Sequence, residues 1–179
     1  MTLSEEFKGR EPAIVALFEA TFTASENADE GRLIGKLVNG LLQGTPAADI
    51  RVFTASENGD LISGAIFTRL DYPDDPRQTF ILSPMAVATG QQGRGFGQAL
   101  LNHALGELRA SGVDIAITYG DPAFYSKVGF APMTEEVAAA PFPLSQPEGW
   151  IGQSLTDAPL APLRGPCTCA EALDDAAYW

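Results

Sequence analysis

Apolar positions change their period along the chain, and each change marks an element. From Glu11, residues Ile14, Leu17, Phe18 and Phe22 recur at helical spacing, with Pro12 suited to a first turn. Leu33, Leu37, Val38, Leu41 and Leu42 form one stripe and predict a second helix over Asp29–Leu42, ended by Gly44 and Pro46. The period then falls to two. Ile50, Val52 and Thr54 alternate with polar residues, Asn58-Gly59 follows, and a second run covers Leu61–Leu70. An Asn-Gly pair between alternating runs is a hairpin signal. Asp71–Arg77, rich in proline and aspartate, reads as a loop. Thr79–Val87 is apolar enough for a central strand, and Pro84 inside it predicts a bulge or a broken ladder. Thr2–Phe7 is a weaker candidate for a first strand.

A glycine-rich turn leads into a predicted helix over Gly95–Ala110, whose buried face is Phe96, Leu100, Leu101, Ala104, Leu105 and Leu108. Ser111-Gly112 stops it. Val113–Tyr119 reads as a buried strand, reached by a βαβ crossover and therefore parallel to the strand before. Pro122–Ser126 suggests a short helix and Phe130–Met133 a further strand. After Pro141 the chain is proline-rich and irregular, with Trp150, Ile151 and Leu155 as a last strand. No repeat or linker interrupts residues 1–179, so one domain is expected. Its class is α/β: a mixed, mostly antiparallel sheet with helices on its faces.

Composition narrows the function classes. Hydrophobic residues make up 45% of the 179 and charged residues 19%, which suits a globular protein with a sizeable core. The net charge of −12 repels phosphate backbones, and no Lys/Arg cluster offsets it, so nucleic acid is excluded as a partner. Such a surface serves solubility, or draws a cationic acceptor through its field. Cys167 and Cys169 are too few for a disulfide framework. They are also too few for a tetrahedral metal site, since His103 is the sole histidine. No basic-then-apolar leader and no run of about 20 apolar residues occurs, so a cytoplasmic protein without a membrane span is expected.

The chemistry concentrates at Gln92-Gly93-Arg94-Gly95-Phe96-Gly97-Gln98, between strand and helix. Glycines let a backbone turn tightly and let a bulky anion approach its N–H groups. The helix that follows aims its positive end at the same point. Arg94 either adds charge there or points to solvent. A dinucleotide turn needs a third glycine at position 98, where Gln98 stands. A phosphate-binding Walker turn needs Lys-Ser or Lys-Thr at the helix start, and neither is present.

These residues resemble the signature of the GCN5-related N-acetyltransferase (GNAT) superfamily: Gln or Arg, two residues, Gly, one residue, then Gly or Ala. Gln92, Gly95 and Gly97 match in order. The resemblance extends upstream to Met85-Ala86-Val87, where the family's central strand splays. Downstream, Tyr119-Gly120-Asp121-Pro122-Ala123-Phe124-Tyr125 and Gly129-Phe130 look like its second cofactor motif. The Gly-Asp-Pro start resembles a bacterial branch related to YhbS. The resemblance implies acetyl-CoA as cosubstrate, no metal, an unidentified amine as acceptor, and leaves room for a homodimer. It implies that the backbone of Met85 and Val87 pairs with the pantetheine arm, with Ala86 between them. The N–H of Val87 then faces the thioester carbonyl. It also implies that N–H groups from Gln92 to Gln98 hold the pyrophosphate, and that Asp121, Phe124 and Tyr125 line the far wall. Many members carry Asn in place of Asp121, whose carboxylate accepts but cannot donate.

Acyl transfer to an amine needs a neutral amine, a donor for the developing oxyanion and a proton for the leaving thiolate. Tyr125 is the candidate acid, with packing as the competing role. Glu19, Glu26, Asp71, Asp74, Asp75 and Ser83 are open candidates for the base, each otherwise a surface group. His103 falls well past the helix start and reads as packing or surface. A cofactor sensor without turnover, or an interaction domain with an empty turn, stays open on these residues.

Overall fold

Burial runs unbroken from Ile62 to Thr68 along the hairpin's second strand, so the sheet is covered on both faces. In the computed structural model, which describes residues 1–179, the strands are β1 (Thr2–Ser4), β2 (Ile50–Glu57), β3 (Asp60–Arg69), β4 (Thr79–Val87), β5 (Ile115–Tyr119), β6 (Ala131–Pro132) and β7 (Trp150–Ser154). They form one seven-stranded sheet in the order β1-β2-β3-β4-β5-β7-β6. β4 and β5 pair in parallel, and every other neighbouring pair is antiparallel. The parallel pair follows from the crossover helix α3 (Phe96–Ala110) between them. The other helices are α1 (Glu11–Ser25), α2 (Ala28–Gly44) and the single-turn α4 (Pro122–Tyr125).

Side-chain period two sorts the core. Val52, Ile66, Ile81 and Ile117 belong to one cluster with Ile14 and Phe18 of α1 and Leu37, Val38 and Leu41 of α2. Their neighbours Phe53, Phe67, Leu82 and Ala116 belong to the other, with Leu100, Leu101, Ala104 and Leu108 of α3. His103 meets Phe53 edge-on at 6.0 Å, a packing role. Asn27 starts α2 by accepting the Glu30 N–H at 2.9 Å.

Pro84 produces the expected bulge. Ala65 faces Met85 and Phe67 faces Leu82, so Ile66 stands opposite both Ser83 and Pro84. β5 begins at Ile115 rather than Val113, and two strands keep only half the length their patterns predict. β1 stops at Ser4, where Glu5 turns to pair with Arg51. β6 keeps two residues, since Pro132 has no N–H for an edge ladder and Phe130 is buried on the α3 side.

The segment after Pro141 is irregular apart from β7 and short 3₁₀ turns, as its prolines predict. It is nonetheless packed. The Arg77 guanidinium donates to the carbonyls of Ala161 and Pro162, both at 2.8 Å, and Asp71 pairs with Thr168 through the backbone. Trp179 is 6% exposed and lies stacked on Tyr119, with centroids 6.3 Å apart and planes 14° off parallel. No helix is long and apolar enough to cross a membrane.

Candidate active site

The pairing of β4 with β5 ends early. Its last rung is Leu82 opposite Thr118, where the Thr118 hydroxyl donates to the Leu82 carbonyl at 2.9 Å. Beyond it β4 continues through Val87 with no strand on that side. The register with β3 decides which groups face the gap. Ser63 stands opposite Val87, and the Ala88 N–H bonds to Ile62, so Val87 and Ser63 form a non-hydrogen-bonded pair. The N–H and C=O of Val87, and by alternation those of Met85, therefore point away from β3 into the gap. The Val87 carbonyl is held by the Gln92 side-chain amide at 3.0 Å.

The glycine turn closes one end of this gap. Gly93 and Gly95 have φ of +74° and +81°, left-handed values that favour glycine. The first backbone bond of α3 runs from the Ala99 N–H to the Gly95 carbonyl at 3.0 Å. The N–H groups of residues 93 to 98 make no backbone hydrogen bond and gather at the positive end of a 15-residue helix. Gly97 packs the helix against the strand: a Cβ there would lie 3.1 Å from Met85 Cε and Val87 Cγ2 and 3.2 Å from Phe124 Cζ. Arg94 departs from the other turn residues. Its guanidinium pairs with Gln91 and Glu57 and covers the Phe96 ring at 4.7 Å.

On the opposite side Asp121 starts α4 by accepting the Ala123 N–H at 2.9 Å, a capping role that needs an acceptor only. α4 carries Phe124 and Tyr125, edge-on to each other at 5.0 Å, with Phe130 edge-on to Tyr125 at 5.7 Å. Gly120 makes room for the phenol ring, since a Cβ there would lie 2.8 Å from Tyr125 Cε2. Burial pushes the Tyr125 phenol up to about 12; the nearby Thr118 hydroxyl pulls the other way and Asp121 adds to the rise.

A cavity of about 830 Å³ joins these walls, and every residue of the predicted cofactor side lines it except Arg94. Among the base candidates, Glu26 and Ser83 line it and the other four do not. Glu19 packs against Gly35 of α2, and Asp74 against Gly165. Asp75 is closed in an ion pair with Arg77 at 2.8 Å, which holds its carboxyl well below the usual range. Both cysteines are free thiols, and burial pushes each up to about 11. No group of three or more His, Cys, Asp or Glu is placed to hold a metal. A third wall has no motif in the sequence to mark it: Thr21 and Phe22 of α1, Glu30 and Ile34 of α2, and Ala177 and Tyr178 near the last residue. Tyr178 shows no periodicity signal; only the burial of the neighbouring Trp179 puts it there.

A family model described as an acetyltransferase (GNAT) domain matches residues 48–132. The chain is 30% identical over 140 residues to the uncharacterized N-acetyltransferase YjhQ of Escherichia coli K12, covering 75% of this chain and 77% of that one. It is 28% identical over 119 residues to the uncharacterized N-acetyltransferase YhbS of the same strain, 66% of each. The solved structure of E. coli YhbS in complex with CoA superposes with a TM-score of 0.82 at 23% identity, over 98% of this chain and 92% of that one. A GNAT acetyltransferase of Brucella melitensis in complex with acetyl-CoA gives 0.71 at 19%, over 97% of each. Both structural likenesses are of fold.

Proposed function

Since the chain belongs to the GNAT acetyltransferase family, we propose that it transfers an acetyl group from acetyl-CoA to a primary amine by direct attack in a ternary complex. The observation that carries this reading is the run of N–H groups from residue 93 to 98 without backbone partners, beside a strand whose free edge faces the same cavity. Those N–H groups suit a pyrophosphate, and the glycines give the close approach it needs. The free edge of Met85 and Val87 suits the amides of the pantetheine arm, as an added strand would. Ala86 lies buried between them. Asp121 and Phe124 form the far wall.

Each role follows from its chemistry. The Val87 N–H points into the gap and donates to the thioester oxygen as charge develops there. The attacking amine arrives neutral, its proton passing to Ser83 or water at the cavity wall. Tyr125 donates toward the sulfur. With the phenol at about 12 and an ordinary thiol near 8.5, full transfer of its proton is uphill by about 5 kcal/mol. The phenol therefore stabilises the departing thiolate mainly through a hydrogen bond, and a cavity that raises the thiol's basicity narrows the gap.

An acceptor screen that follows free thiol from acetyl-CoA tests the reading. Thiol release that depends on a primary amine is the expected result. Tight acetyl-CoA binding with no turnover on any amine would make the protein a cofactor sensor instead.

A further inference from the structure

The wall that α1 and α2 give the cavity carries charge without partners. Glu26, just past the end of α1, and Glu30, in the first turn of α2, both line the cavity. Neither carboxylate enters any of the protein's ion pairs. Glu30 follows the capping Asn27 by three residues, yet the bond there runs from the Glu30 N–H to the Asn27 side chain and the Glu30 carboxylate does not return it. A second observation is independent of charge. Thr21 is 7% exposed, lines the same wall, and its hydroxyl has no hydrogen-bond partner in the protein. The residue is buried while its oxygen is not closed off, which leaves that oxygen available to a molecule in the cavity.

Two aromatic rings line the same cavity. Phe22 comes from α1, and Tyr178 from the end of the irregular segment. Tyr178 is fixed in place by its neighbours: Trp179 stacks on Tyr119 and donates from Nε1 to the Leu173 carbonyl at 3.0 Å, and Leu173 is buried. Nearby Asp175 and Glu30 add to the burial that raises the Tyr178 phenol. The apolar Ile34 and Leu37 continue the wall inward. The only basic residue on the lining, Lys127, follows α4, on the side of Tyr125.

We propose that this wall selects an acceptor with two amino groups on an alkyl stem. One end reaches the thioester as the neutral nucleophile. The other stays an ammonium, held by Glu26 and Glu30, near the Tyr178 and Phe22 rings. Carboxylates without partners attract such a cation, and ring faces add to the attraction. Thr21 offers its oxygen as an acceptor deeper in. The stem lies along Ile34 and Leu37. The net charge of −12 draws the same cation from a distance. This inference rests on the acetyl-transfer reading for the placement of the reacting end, but its test does not require turnover.

Three probes of similar length are titrated calorimetrically into the CoA-saturated protein: 1,4-diaminobutane, butylamine and 4-aminobutanoate. The diamine should bind about fivefold to tenfold tighter than butylamine, the scale of one to two partly exposed ion pairs, and 4-aminobutanoate should bind weakest. The double variant Glu26→Gln/Glu30→Gln should still bind CoA and melt as the parent does, but lose the preference, and added salt should erode it in the parent. Equal binding of the three probes, binding of none, or a preference untouched by the double variant would overturn the inference. Diamine-selective binding without thiol release from acetyl-CoA would leave the inference standing and defeat the transfer reading.

Discussion

The turn side of the cavity presents backbone, namely the N–H groups of residues 93 to 98 and the free edge of β4, whereas the helix side presents the side chains of Thr21, Glu26, Glu30 and Tyr178. A backbone surface is set by φ values and by the space glycine leaves, so a substitution there disturbs the shape itself. A side-chain surface can change its chemistry while α1 and α2 keep their core contacts. On the proposed reading, the cofactor meets the backbone side and the amine meets the side-chain side.

Substitutions on the two sides should therefore fail in different ways, most severely on the backbone side. Gly95→Asp puts a side chain at a left-handed φ and a negative charge at the start of α3. CoA affinity should fall about thirtyfold to a hundredfold, from a strain of ~1–2 kcal/mol and an opposed dipole of ~1 kcal/mol. Unchanged affinity in calorimetry on a folded variant would remove the assignment of the turn.

Tyr125→Phe keeps the ring and deletes the hydroxyl. Acid assistance of this kind is worth ~10²–10⁴, so a fall in kcat of at least about tenfold is a cautious bound, with the KM for acetyl-CoA near the parent value. If affinity falls and kcat survives, Tyr125 is only wall. The pH profile carries a further sign. The donor acts while protonated, and its pKa is raised to about 12, so activity should rise as the amine loses its proton. Tyr125 should add no fall below about pH 11. A descending limb that vanishes in Tyr125→Phe near pH 9 would contradict this environment.

Tyr178→Ala removes one ring from the helix side. The acceptor KM should rise about two- to fivefold, the scale of a partly exposed cation–π contact, with kcat and the KM for acetyl-CoA unchanged. A change in acetyl-CoA kinetics would instead place Tyr178 on the cofactor. The smallest effect is expected for Cys167→Ser with Cys169→Ser, which pack on the core in the irregular segment and do not line the cavity. Turnover should stay as in the parent, and lost turnover together with lost zinc would show a metal role.

The same division explains what could be read from the chain alone. The strands, the bulge at Pro84 and the glycine turn each have a local cause: period two, a missing N–H, a left-handed φ. Local causes leave marks in local sequence. The helix side has none. Glu19 and Glu26 are alike as residues, and only the packing of α1 on α2 puts one against Gly35 and the other on the cavity. Arg94 sits within the turn motif, but Glu57 of the β2–β3 hairpin draws its charge away. Tyr178 is placed by the stack of Trp179 on Tyr119, across some 60 residues of chain. The irregular segment carries little local signal because its order comes from such distant contacts.

A crystal structure of the protein with CoA bound tests the central claim most directly. The account predicts pyrophosphate oxygens within hydrogen-bond distance of the N–H groups between Gly93 and Gln98. It also predicts the pantetheine amides paired with Met85 and Val87 and the thiol near Tyr125. Phosphates seated elsewhere, with those N–H groups facing solvent, would contradict it.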